Sequence, residues 1–121
     1  MHEKVVVLGA SEKPERFSNK AVRLLKRHGH DVLPVGLNRG RIGDVFIVPM
    51  KNVSLDNVDT VSIYLSPENQ KNYYESVLKW RPKRVIFNPG AENREFRSLL
   101  EENDIEVIED CTLLMLAKSE F

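Results

Sequence analysis

Residues 4–18 read KVVVLGASEKPERFS, and this stretch decides the fold. Val5 to Leu8 is a continuous apolar run rich in β-branched residues, as a strand buried on both faces of a parallel sheet requires. Gly9-Ala10-Ser11 is a turn. Ser18 to His28 then carries the helical stripe Ala21, Val22, Leu24 and Leu25. Ser18 or Asn19 is expected to cap that helix and Gly29 to end it. Asp31 to Val35 (DVLPV) completes a strand–helix–strand unit. Pro34 inside it points to a sheet margin or a crevice.

The alternation continues outward from this unit. Asn38 to Asp44 (NRGRIGD) reads as a glycine-rich basic loop and Val45 to Val48 as a short third strand. Thr60 to Leu65 is a fourth strand, after a turn at Leu55-Asp56-Asn57. Ser66 and Pro67 have the form of a helix cap and first helical residue, and the helix is expected to run to Trp80. Arg84 to Phe87 is a fifth strand, followed by Asn88-Pro89-Gly90. Glu92 to Asn103 is a helix, Glu106 to Ile108 a last strand, and Leu113 to Ala117 a short helix. Strands alternating with crossover helices predict an α/β protein. The expected form is a Rossmann-like three-layer α/β/α sandwich, its mostly parallel sheet having about five to six strands. Residues 1–121 are expected to form one domain.

Composition narrows the function. Lys+Arg and Asp+Glu number 18 each, so the formal net charge is zero, which argues against a nucleic-acid partner. No apolar stretch approaches the roughly 20 residues of a membrane span. The residues before Lys4 lead straight into the first strand, without the pattern of a signal peptide, so a cytoplasmic location is expected. A single cysteine, Cys111, excludes an internal disulfide framework.

Ligands of such sheets bind at the carboxyl ends of the strands, near the point where strand order reverses. Four unusual loops fall there: Gly9-Ala10-Ser11, Leu37 to Gly43, Leu65-Ser66-Pro67 and Asn88-Pro89-Gly90. In the first, Gly9 permits a tight turn, Ser11 offers a hydroxyl and Arg16 a cationic fork. Ser18 stands at a helix N-terminus, where free N–H groups favour an anion. Together they suit a pyrophosphate. The dinucleotide fingerprint G-x-G-x-x-G is missing, and so is the acidic residue that an NAD site needs after the second strand. Val35-Gly36-Leu37-Asn38-Arg39 stands there instead, and Arg39 with Arg41 favours an additional phosphate. The residues leave two ligands open: NADP, with a 2′-phosphate, and coenzyme A, with a 3′-phosphate.

The chain resembles the small CoA-binding-domain proteins, which are similar to the N-terminal CoA-binding domain of the succinyl-CoA synthetase α subunit. The resemblance rests on VVVLGAS at Val5 to Ser11, Arg16 with Ser18, and GHDVLPVG at Gly29 to Gly36. It continues through Ile42-Gly43, Val58-Asp59, YLSPEN at Tyr64 to Asn69, PKRVIFNPGAEN at Pro82 to Asn93, and Cys111. It implies coenzyme A as the bound ligand, with Gly9, Ala10, Ser11, Arg16 and Ser18 receiving its phosphates. Leu37 would line the adenine side, and Arg39 falls where the synthetase has a phosphate-contacting lysine. Leu65, Ser66 and Pro67 on one side, and Phe87, Asn88, Pro89 and Gly90 on the other, would flank the pantetheine arm. Cys111, after the final strand, would be a thiol contact. The chain departs from the family in reading Gly36-Leu37 where Asn-Pro is common, and Asn88-Pro89 where an aromatic-x-Gln-x-Gly stretch is common.

No catalytic constellation is present. His28 and His30 flank a helix end, and Glu101-Glu102 and Glu109-Asp110 read as solvated acids. The expected function is binding of coenzyme A or an acyl-CoA, without catalysis and without a metal. The alternatives are an NADP-dependent reductase and an interaction subunit with a vestigial nucleotide site.

Overall fold

A computed structural model describes residues 2–49 and 54–121. The strands are β1 (Lys4–Leu8), β2 (Asp31–Gly36), β3 (Gly40–Ile42), β4 (Val45–Pro49), β5 (Thr60–Ile63), β6 (Arg84–Phe87) and β7 (Glu106–Glu109). They form one sheet in the order β3-β4-β2-β1-β5-β6-β7, parallel except for the β3–β4 pair. The fold is thus the expected Rossmann-like α/β architecture, with seven strands among the described residues rather than about five to six. The additional strand is β3, inside the stretch expected to be a loop. It forms a two-residue hairpin with β4, and Gly43 takes φ +61° at the first turn position, where a type II′ turn calls for glycine.

Helices cover both faces. α1 (Phe17–Arg27) and α5 (Thr112–Ala117) lie on one face, where Val5, Val7, Val22, Leu25, Val32 and Leu116 share a core. On the other lie α2 (Pro67–Gln70), a 3₁₀ turn (Lys71–Tyr73), α3 (Tyr74–Trp80) and α4 (Arg94–Glu102). There Val6, Leu8, Val61, Val77, Trp80, Phe87, Phe96 and Leu100 are packed together. Neighbours along β1 therefore serve opposite cores, which accounts for its unbroken apolar run. Pro34 is tolerated within β2 because, among the described residues, β4 pairs with β2 only at Val35 and Gly36.

The expected single helix from Pro67 to Trp80 is instead broken at the 3₁₀ turn. The tighter winding buries both Gln70 and Tyr73. It also stacks Tyr74 on Phe96 at 4.3 Å between ring centroids.

Candidate functional site

The chain runs outward from β1 to β2 and β4, then returns to place β5 against the other edge of β1. Strand order reverses at the β1–β5 boundary, and a cleft of about 750 Å³ opens at the carboxyl ends there. Its walls include Gly9, Ala10, Ser11, Arg16, Ser18, Leu37, Arg39, Leu65, Ser66, Pro89 and Gly90. Eleven of the residues expected at a site thus come together in one depression. Gly9 takes φ +95°, and a Cβ there would lie 3.0 Å from the Leu65 side chain. Leu65 therefore covers one side of this turn. Gly36 meets a firmer limit, since its Cβ would stand 2.7 Å from the Ala10 carbonyl oxygen. The β1 loop also docks on β2 through the Gly9 and Ala10 N–H groups, which both donate to the Val35 carbonyl at 2.9 and 3.0 Å.

α1 opens onto this cleft without a side-chain cap. The expected cap at Ser18 or Asn19 is not formed: Arg16 is the N-cap residue, and Ser18 and Asn19 are buried in the first turn. Asn19 is committed elsewhere, donating through Nδ2 to the Ser11 carbonyl at 2.9 Å while its Oδ1 accepts from Arg23 Nε at 2.8 Å. Lys13, Arg16 and Arg39 line the cleft. Among the described residues their side chains have neither a salt bridge nor a hydrogen bond to the protein. Two apolar side chains stand at the mouth, Phe17 at 66% exposure and Leu37 at 83%.

Four expected contacts lie outside the cleft walls. Pro67 begins α2 on the exposed side of its loop. Phe87 ends β6 with its side chain in the core, edge-on to Phe96 at 5.9 Å. Asn88 is turned inward, donating to Ser62 Oγ and the Ile63 carbonyl at 2.9 Å each and accepting from the Thr112 N–H at 2.8 Å. Cys111 is half-buried at the start of α5 and is not itself a wall residue, although it lies near enough to the cleft-lining Tyr64 to act on its hydroxyl electrostatically.

Other wall residues carried less sequence signal. Beneath the cleft, Gln70 is fully buried, and its Nε2 donates to the Leu65 carbonyl at 2.8 Å and the Ala91 carbonyl at 2.7 Å. Its Oε1 accepts from Asn93 Nδ2 at 2.9 Å. Gln70 thus ties together the two loops that face each other across the cleft. An amide in a helical stretch gives no sign of this from sequence. Tyr64 lines the cleft, and its hydroxyl is buried without a hydrogen-bond partner among the described residues, close to the paired Ser62 and Thr112 hydroxyls. Burial pushes this phenol up to about 12, which the neighbouring hydroxyls only partly offset. It is therefore a neutral donor at physiological pH and not a base.

A family model described as a CoA binding domain matches residues 3–117. The chain belongs to this CoA-binding-domain family. Its fold is shared by an uncharacterized protein of known crystal structure, at 40% identity and a TM-score of 0.96, over 100% of this chain and 99% of that one. A hypothetical protein from Pyrococcus horikoshii OT3 is 26% identical with a TM-score of 0.87, over 96% of this chain and 82% of that one. At 18% identity, a dinucleotide-forming acetyl-coenzyme A synthetase 1 from Ca. Korarchaeum cryptofilum shares the fold, with a TM-score of 0.71 over 89% of this chain and 25% of that one. No curated protein matches the chain. Among the described residues, no helix is long and apolar enough to cross a membrane.

Proposed function

We propose that this CoA-binding domain holds coenzyme A or an acyl-CoA in the cleft at the carboxyl ends of the strands, and that it binds without chemistry of its own. The observation that carries this is the gathering of Lys13, Arg16 and Arg39, whose side chains have no partners among the described residues, around the uncapped start of α1. Phosphates are the ligand groups that such a set of donors serves best. Ser11, Arg16 and Ser18 take the pyrophosphate, Arg39 takes the 3′-phosphate, and Leu37 with Phe17 receives the adenine. The pantetheine arm runs between the Leu65-Ser66 and Pro89-Gly90 loops. The three histidines border a different depression, at the amino ends of the strands, which supports binding rather than acid–base catalysis at the cleft.

Calorimetric titration with coenzyme A, 3′-dephospho-coenzyme A, NADP and NAD tests the reading. Coenzyme A should bind most tightly, and loss of its 3′-phosphate should weaken binding by about 1–3 kcal/mol. Tight NADP binding with none of coenzyme A would overturn it.

A further inference from the structure

One carboxylate, Glu12, stands among the cations of the cleft. On electrostatic grounds it is out of place, because a negative charge beside a phosphate site weakens anion binding. It nevertheless has a built contact. Glu12 Oε2 accepts from the Arg41 N–H at 3.0 Å, a bond between residues 29 positions apart. Gly40 makes room for it, since a Cβ on Gly40 would lie 2.5 Å from both Cγ and Cδ of Glu12. β3, to which Gly40 and Arg41 belong, pairs only with β4 among the described residues. The Glu12 bond is thus a hold on the hairpin from the β1–α1 loop. Arg39 immediately precedes β3, lies exposed at the cleft, and has no side-chain partner among the described residues.

We propose that Glu12 is a positioning residue. By holding the β3 backbone it places Arg39 over the cleft, and it thereby sets how sharply the site distinguishes an adenosine ligand with a ribose phosphate from one without. The inference rests on the coenzyme A reading of the cleft. The acceptor does the positioning, while the charge only lowers affinity for every anionic ligand. The two contributions are separable, because Glu12→Gln keeps an acceptor and removes the charge. Gly40→Ala does the opposite: it displaces the side chain and leaves the charge present. Gly40 has no positive φ that would strain an alanine.

The experiment titrates coenzyme A and 3′-dephospho-coenzyme A into wild type, Glu12→Ala, Glu12→Gln, Gly40→Ala and Arg39→Ala. The affinity ratio of the two ligands should fall roughly tenfold in Glu12→Ala and in Gly40→Ala, approaching its value in Arg39→Ala. Glu12→Gln should keep the wild-type ratio and bind both ligands more tightly. A ratio that collapses in Arg39→Ala but persists in Glu12→Ala and Gly40→Ala overturns the role of Glu12 alone. A wild type that binds neither ligand overturns the coenzyme A reading and this inference with it. Hydrogen exchange of the Arg41 amide in ligand-free protein supplies a readout independent of binding. It should quicken in Glu12→Ala and Gly40→Ala but not in Glu12→Gln, and unchanged exchange in all three would remove the proposal's basis.

Discussion

The two ends of the sheet treat charge in opposite ways. At the amino end the charged groups are satisfied from within. The Arg84 guanidinium meets Glu3 at 3.3 Å and Thr60 Oγ1 at 2.8 Å, and it lies over the Phe121 ring at 4.6 Å. Asp59 accepts from the Lys4 N–H at 2.8 Å and pairs with Lys83 at 3.0 Å. His30 Nδ1 accepts from the Glu3 N–H at 2.9 Å. At the carboxyl end Lys13, Arg16 and Arg39 face a cleft, and the buried hydrogen-bond network beneath it, built on Gln70, Asn88 and Asn93, is neutral. Charge at the amino end is thus paired within the fold, while at the carboxyl end three cations of the cleft have no side-chain partner among the described residues.

That contrast can be broken, and the largest effect should come from beneath the cleft. Gln70→Ala strands the Leu65 and Ala91 carbonyls and the Asn93 amide, and should cost about 3 kcal/mol in denaturant unfolding. It should also weaken coenzyme A binding, since it frees the two loops. Next come two arginines with opposite outcomes. Arg84→Ala should destabilise by about 1–3 kcal/mol and leave ligand affinity unchanged, because Glu3 and Thr60, still bonded to each other at 2.6 Å, lose the guanidinium that both accept from. Arg16→Ala should alter stability by less than about 0.5 kcal/mol and weaken coenzyme A by about 1–3 kcal/mol. Two arginines with the same stability cost would erase the distinction.

A helix start offers a smaller version of the same test. Asn93 caps α4, its Oδ1 accepting from the Phe96 N–H at 3.1 Å, so Asn93→Ala should cost at least about 1 kcal/mol. Ser18→Ala at the uncapped α1 should leave thermal unfolding nearly unchanged, with its effect confined to ligand affinity. The mildest effect is one of pH. His30 sits below the ordinary imidazole value, chiefly from burial, with His28 and His2 pushing the same way and the Glu3 carboxylate opposing. The unfolded chain then binds the proton more readily than the folded one. The His30 contribution is therefore complete above the ordinary imidazole value of 6.5 and is lost as pH falls below it. The melting temperature should drop between about pH 7.5 and pH 5.5, and by less in His30→Gln, which lacks the titrating group.

Much of this was legible in the sequence because local rules and the fold agree. The Val5–Leu8 run, the Gly29 helix end at φ +87° and the Ser66-Pro67 helix start each follow from a single chemical preference. Eleven of the expected site residues reach the cleft because the carboxyl ends of parallel strands converge wherever the order reverses. The failures occurred where a distant partner decides. Phe87 ends β6 and Asn88 opens the loop that leads to the cleft, yet Ser62, Thr112 and Phe96 draw their side chains inward. Ser18 has the residue type of a cap, but the chain places Arg16 at that position. β3 escaped notice because an arginine between glycine and isoleucine has strand character only once β4 is beside it.

The position of β1 has a consequence for how the protein is made. β1 leaves the ribosome before β2, which joins it after α1. Its other edge waits for β5: Val5 pairs with Thr60, and the Lys4 N–H reaches an Asp59 carboxylate 55 positions away. Closing so long a loop is slow compared with forming the local unit. The cleft lies on that late seam, so a nascent chain carries the Gly9-Ala10-Ser11 turn well before it has a second wall to face it. Ligand binding then reports completion of the sheet, and a trapped, half-built chain should be recognisable by an intact first unit that binds nothing.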